Sequence, residues 1–422
     1  MGQTITEKIL SRGAGRPVMP GEYFEGGSRL PITMGMMLGS SVTDSLEKIG
    51  AKGLFNPKQV RIIDGHTGGS GSHGAGDVRT KMRAFAKEMG IPNESIFDLG
   101  RSGIEHVVSA DKAWALPGDI FLEAFNDGHT TTLGALGAFA VPLTGGSAPY
   151  LATGKTWFRV PESIKIVLNG TLPKGVFGRD VVEYVLRQLG PSVSAGKVLE
   201  WTGPAIDDMS LDGRFTICCN ALFFGAWTSI MNPDQKVIDY CKQRNPTSFE
   251  PVSSDADATY FKVFEFDISN IVPQIVPPPE RYHVHDITKY VGTPIDRGFV
   301  GSCANGRMED MRMVAAVLKD RKIHPDVIFN VTPATMDIYK QCAREGLLEI
   351  FAEAEVAIQQ PACGMCWGAN TPLAAGNVCM STGTCNYPGR MGSKDAQIYL
   401  ANPAAVAASC VEGKIADPRT YL

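Results

Sequence analysis

Gly298-Phe299-Val300-Gly301-Ser302-Cys303-Ala304-Asn305-Gly306-Arg307 opens the stretch that decides the fold. Gly298 to Gly301 is a short apolar run closed by glycine, the pattern of a buried strand, and Arg307 to Leu318 follows with helical spacing. The alternation then repeats: Val327 to Val331 reads as a strand, Thr335 to Arg344 as a helix, and Val356 to Gln359 as another strand. A βαβαβ order implies a parallel sheet with right-handed crossovers, hence an α/β architecture. In such sheets ligands gather beyond the carboxyl ends of the strands. Cys303 follows the first strand, and Cys363 with Cys366 follows the third, so the topology brings three thiols to one sheet edge.

The spacing of Cys363-Gly364-Met365-Cys366 lets both sulfurs turn inward, as a redox dithiol or half of a zinc knuckle also requires. Cys303 stands just before a helix, whose N-terminal amides favour the thiolate that metal binding needs. Three thiols without a fourth partner nearby suit an iron-sulfur cube with one iron left open. Such an iron polarises a hydroxyl or carboxylate oxygen as a Lewis acid. A closed four-thiolate zinc site is the competing arrangement. Cys241, Cys342 and Cys410 show no ligand spacing and read as small core hydrophobes.

Working outward, 422 residues imply about three domains. Hydrophobic residues make up 44% and charged residues 20%, which supports packed cores and excludes a disordered chain. Forty basic residues against 44 acidic ones lack the positive excess that phosphate backbones or anionic membranes attract, so nucleic acid and membrane are not expected partners. No long apolar run occurs, and Glu7 and Lys8 stand where a signal peptide would need one, so a cytoplasmic protein with reduced cysteines is expected.

Thr4-Ile5-Thr6-Glu7 has the form of a capping box, opening a helix that stops near Gly13. Gly65 to Gly76 lacks phosphate-loop spacing and reads as a surface or active-site loop, with a helix from Asp77 to Met89. The small residues between Thr130 and Ala140 allow close packing behind Asp127 and His129. Ile164 to Leu168 alternates like a strand, and Gly178 to Leu189 like an amphipathic helix. Pro273, Pro277, Pro278 and Pro279 suggest a linker between Ile271 and Arg281. The expected domains are 1–155, 156–285 and 286–422, the last carrying the three cysteines.

Gly301-Ser302-Cys303-Ala304-Asn305-Gly306-Arg307-Met308-Glu309-Asp310 and Cys363-Gly364-Met365-Cys366-Trp367-Gly368 resemble the two cluster-binding motifs of the aconitase superfamily. The likeness is strongest to the large subunits of 3-isopropylmalate dehydratase, homoaconitase and dimethylmalate dehydratase. Gly103-Ile104-Glu105-His106, Asp127-Gly128-His129-Thr130-Thr131-Thr132, Phe158-Arg159-Val160-Pro161-Glu162-Ser163 and Gly389-Arg390 extend it along nearly the whole chain. The resemblance implies three α/β/α domains around a 4Fe-4S cluster held by Cys303, Cys363 and Cys366. It also implies a fourth, swivelling domain on a separate small subunit, and hydro-lyase activity on a small hydroxy acid. Asp127, His129 and His106 would be catalytic, and Arg390 and Ser381 would bind substrate.

The departures from the family pattern fall on the chemistry. The Asp-His pair after a strand is Asp64-Gly65 here, with His66 one residue late. A family Asn and a Glu four residues on are Cys219 and Phe223, and a carboxylate-binding Arg is Cys385, preceded by Thr384 in place of Asn. A His-Asp segment falls in Met34-Gly35-Met36-Met37. A pocket so stripped of charge is expected to take something other than ordinary 3-isopropylmalate. Cys219 and Cys385 are expected near the cluster. The alternatives are altered cluster chemistry on a sulfur-containing or less anionic substrate, or a decayed, cluster-bearing binding protein.

Overall fold

The computed structural model describes residues 2–70, 72–124 and 127–422, in three mainly parallel sheets wrapped by helices and a two-stranded antiparallel ribbon, Tyr23–Gly26 with Thr156–Arg159. The first runs Ile96–Phe97, Val60–Ile63, Ile32–Gly35, Ile120–Glu123, Phe139–Pro142, all parallel. The second runs Thr228–Met231, Val198–Thr202, Ser163–Asn169, Lys262–Asp267, also parallel. The third contains the three predicted strands in order, as Arg297–Val300, Ile328–Val331 and Ala357–Ile358, and adds Val378–Ser381 and then Gln397–Ala401 on the Arg297–Val300 side. The α/β architecture expected from the sequence is therefore present. None of the described helices is long and apolar enough to cross a membrane.

The N-terminal capping box forms: Thr4 accepts from the Glu7 amide and the Glu7 carboxylate from the Thr4 amide, starting the helix Ile5–Ala14. The predicted helix Gly178–Leu189 is observed with those bounds. Two readings shift. The glycine-rich stretch becomes helical earlier than expected, at His73–Glu88, because Ser72 caps the Ala75 amide. The proline-rich segment is not a linker outside the sheets. Gln274–Val276 forms a strand antiparallel to Gln397–Ala401 and to His285–Asp286. Pro273 and Pro277 flank this strand rather than interrupt it, so its amides remain free for the ladder, and the third sheet begins ahead of Asp286.

The segment Gly128–Leu136 is a 3-10 helix laid against the strand Thr228–Met231. The contact is close at Gly134, where a Cβ would sit 1.7 Å from the Ser229 carbonyl oxygen, so only glycine fits. Trp201, Phe121 and Phe224 are among the fully buried side chains behind it. Each contributes about 1.5–3 kcal/mol of burial to the platform that carries Asp127 and His129. Cys241, Cys342 and Cys410 are buried in helices, and all ten cysteines are free thiols.

The first and third sheets meet with the carboxyl ends of their strands facing one another. Ile104 N–H donates to the Ala334 carbonyl (2.8 Å), Cys363 N–H to the Gly65 carbonyl (2.7 Å), and Trp367 Nε1–H to the His66 carbonyl (3.1 Å). These bonds pin the loops after the strands together, and the space they leave is the candidate site.

Candidate active site

A cavity of about 300 Å³ lies at this junction. Cys303, Cys363, Cys366 and Arg390 line it from the third-sheet side, and His66, His106, Asp127 and His129 from the first-sheet side. Two larger clefts, of about 580 and 650 Å³, have no cysteine or histidine in their walls. The three thiols that the sequence placed at one sheet edge do share one cavity.

Cys303 lies within a one-turn helix, Ser302–Asn305, rather than ahead of the long helix Met308–Leu318. Ser302 is held at φ +76°, a left-handed conformation that costs a non-glycine residue of order 1–3 kcal/mol. Its hydroxyl donates to the Thr382 carbonyl (2.9 Å) and accepts from the Ala304 amide (3.2 Å), which fixes the turn that presents Cys303. Cys363 caps the 3-10 turn Gly364–Trp367, which contains Cys366, and the Cys366 amide bonds the Cys363 carbonyl (3.0 Å).

Arg390 Nε–H donates to the Cys366 carbonyl (2.9 Å), and Nη2 lies 3.6 Å from the Cys366 sulfur. The guanidinium is thus held beside the Cys366 sulfur while still facing the cavity. Ser381 does not line the cavity. It is fully buried, and its hydroxyl accepts from the Gly383 amide (2.9 Å), so it shapes the loop beneath.

On the opposite wall, Asp127 Oδ1 sits 2.7 Å from His129 Nδ1 and also accepts from the His129 amide (2.8 Å). Its Oδ2 is 3.4 Å from His106 Nε2, and His106 Nδ1 lies 3.0 Å from Glu123. Burial alone would raise the Asp127 carboxyl, but His129 and His106 outweigh it and hold Asp127 well below the usual range. Burial opposes charge on His106, and Glu123 with Asp127 reverses that, raising it well above an ordinary histidine. Asp127 is therefore a carboxylate clamped between two rings. His129 Nε2 is buried and has no hydrogen-bond partner among the described residues. A buried nitrogen left open in a cavity wall is a place for a ligand hydroxyl.

Cys219 ends the helix Leu211–Cys219 with its sulfur 3.5 Å from that of Cys303, fully buried. Cys385 is half-buried and does not line the cavity, although Arg390 and Cys366 act on its thiol electrostatically. Phe223 backs the His129 ring edge-on at 6.3 Å, with the Arg281 guanidinium 4.1 Å from the Phe223 ring centre on its other contact. Met37 lines the cavity, from the segment Met34-Gly35-Met36-Met37 in which the resemblance expects a His-Asp pair.

A buried network escaped the sequence reading. Glu183 pairs with Arg179 (2.7 Å) and with Arg281 (2.6 Å). Arg179 donates to the Thr382 and Gly383 carbonyls, and Arg281 to the Thr384 carbonyl (2.9 Å). Two arginines from outside the third sheet's parallel strands thus clamp the loop that carries Thr384 and leads to Arg390. Glu183 recurs four residues after Arg179 on the helix Gly178–Leu189, a visible spacing, but nothing local announces Arg281 as the third member.

With this geometry in view, likeness to known proteins is decisive. A profile of the aconitase family (aconitate hydratase) matches residues 75–291 and 279–413. The chain belongs to the aconitase family. The 3-isopropylmalate dehydratase large subunit of Halothermothrix orenii is 38% identical over 426 aligned residues, covering 100% of both chains. Large subunit 1 from Methanopyrus kandleri is 37% identical, again covering 100% of both. The holo form of aconitase X from Thermococcus kodakaraensis superposes with a TM-score of 0.50 at 9% identity, covering 85% of this chain and 84% of that one, and so supports the fold alone.

The donor set fits the family's cluster. Three cysteine sulfurs in one cavity, with a guanidinium beside one of them, are soft ligands suited to iron-sulfur chemistry.

Proposed function

We propose that this aconitase-family chain is the large subunit of an iron-sulfur hydro-lyase that adds or removes water on a small hydroxy acid less anionic than 3-isopropylmalate. It would work in the cytoplasm with a small swivelling subunit, consistent with its large-subunit relatives and ten free thiols. One observation carries the reading: three thiols and an Asp127–His129 pair face each other across one cavity. Cys303, Cys363 and Cys366 would hold the 4Fe-4S cluster, which supplies a Lewis acid to weaken the bond to a departing hydroxide.

The chain's own residues do the rest. Asp127 accepts the Nδ1 proton of His129, which leaves Nε2 as the atom that takes or gives the proton at the substrate. Glu123 fixes His106 from behind, so that its Nε2 also faces Asp127. Arg390 offers the single guanidinium among the described cavity residues, enough for one carboxylate. Met37, Ile104 and Trp367 give the remaining wall apolar character, which favours a less anionic substrate than a dicarboxylate.

The test is oxygen-free protein loaded with iron and sulfide, combined with its small subunit, and assayed on a panel of hydroxy acids that includes 3-isopropylmalate. Turnover is expected to be faster on a monocarboxylate or a masked dicarboxylate than on 3-isopropylmalate. Loaded, assembled enzyme that dehydrates or hydrates none of them contradicts the proposal.

A second reading rests on Cys219, whose sulfur lies 3.5 Å from that of Cys303. A thiol so close to a proposed ligand would alter the cluster's electronic character and suit different chemistry, for instance on a sulfur-containing substrate. An unchanged cluster spectrum in Cys219→Ser removes its basis.

A further inference from the structure

The family pattern has histidine directly after Asp64, whereas this chain has Gly65 there and histidine at 66. His66 nonetheless reaches the cavity wall, and its partner shows how. Its Nδ1 lies 3.0 Å from Glu105 Oε1. Glu105 is fully buried at the start of the helix Glu105–Asp111, and His66 is its one ion-pair partner among the described residues. The other carboxylate oxygen, Oε2, is buried with no hydrogen-bond partner among those residues. A buried carboxylate so sparsely satisfied is costly to keep, and hydrophobic packing alone gives no reason for it.

Gly65 explains the fit. A Cβ at residue 65 would stand 2.2 Å from Glu105 Oε2, 2.5 Å from its Cδ and 2.8 Å from the Gly103 carbonyl oxygen. No residue with a side chain shares that space with Glu105. The glycine at 65, the histidine at 66 and the carboxylate at 105 therefore form one arrangement rather than three separate departures. His66 Nε2 lies 3.9 Å from Asp127 Oδ2 on the same wall, the His66 ring also meets the Cys363 thiol, and the Trp367 indole donates to the His66 carbonyl.

We infer that Glu105 is a positioning residue: seated in the slot left by Gly65, it accepts the Nδ1–H of His66 and turns Nε2 into the cavity to contact the substrate hydroxyl beside Asp127. The inference rests on the hydro-lyase reading for its substrate, but not for its geometry. A histidine oriented by a buried carboxylate is the familiar logic of an orienting partner, whose loss lowers activity by roughly 10- to 100-fold.

The experiment is a double-mutant cycle on the assembled, cluster-loaded enzyme, read alongside 15N NMR of histidine-labelled protein, with His66→Gln assigning the signal. Glu105→Gln is expected to lower kcat by about 10- to 100-fold with KM changed by less than about threefold, and to cost nothing further in the His66→Gln background. Gly65→Ala is expected to reproduce the Glu105→Gln loss by displacing the carboxylate. Iron content and thermal midpoint control for folding. In the unsubstituted protein, NMR is expected to show His66 protonated at Nδ1, whether or not a substrate has been found. Additive losses in the cycle, or a His66 signal with Nδ1 unprotonated, overturn the inference, and the NMR result separates its failure from failure of the hydro-lyase reading.

Discussion

The two walls of the cavity differ in how far they depart from the family pattern. The thiol wall keeps Cys303, Cys363, Cys366 and Arg390, each following a parallel strand of the third sheet, and its departure from the family pattern lies beside these groups, at Thr384 in the cavity and Cys385 behind it. The histidine wall keeps Asp127, His129 and His106 but carries Met37, Gly65, His66 and Glu105 around them. The contrast teaches that holding a cluster tolerates little change in donor identity, because ligand number and softness are set by the metal. The wall facing the substrate is free to change with the substrate, provided each buried charge finds a partner.

The sharpest way to break this comparison is to remove a thiol. Cys366→Ala is expected to abolish both iron content and turnover, since a cube with two cysteine ligands is not held; full iron occupancy would show that the thiol wall is not the cluster site. Asp127→Asn should leave iron and the cluster spectrum intact while lowering kcat by about 10²- to 10⁴-fold, the range for losing a positioned acid-base group. Loss of the cluster in that variant would mean that the two walls do not have separate tasks.

Glu183→Gln tests the support behind the thiol wall. It leaves Arg179 and Arg281 buried without their carboxylate, and breaking such a group destabilises by about 3–5 kcal/mol, readable as a lower denaturation midpoint. The smallest effect on activity is expected away from both walls, at Asp180. Burial pushes its carboxyl up to about 7, from 3.8, against the Gln274 and Phe177 amides and Asn402 that bond it. The folded state then binds a proton that the unfolded chain has released, so this group's contribution is whole below about pH 4 and is lost as pH rises through about 7. Asp180→Asn should flatten the fall in stability across that window and leave kcat unchanged. A stability profile identical to the unsubstituted protein's would show that Asp180 is ionised throughout.

Much of this was legible in the sequence because it depends on local signals. The strand and helix alternation from Gly298 to Gln359 fixed where Cys303, Cys363 and Cys366 would meet, through the rule that places ligands beyond strand ends. Asp127 and His129 lie two residues apart, so their pairing needs no long-range information. The linker expected between Ile271 and Arg281 instead holds the strand Gln274–Val276, because proline content says nothing of register and the strand fits between Pro273 and Pro277. Ser381, which the resemblance implies at the substrate, instead accepts the Gly383 amide with its hydroxyl. The Glu105–His66 contact and the Glu183–Arg281 pair join residues 39 and 98 positions apart, and no local pattern encodes them.

The most direct test of the central claim is metal and sulfide analysis with Mössbauer spectroscopy on protein purified without oxygen. The proposed site predicts a 4Fe-4S cluster with one iron distinct from the other three, and loss of that cluster in Cys303→Ala, Cys363→Ala and Cys366→Ala alike. Protein that carries zinc or no iron under those conditions, or a cluster that survives removal of any one of the three cysteines, contradicts it.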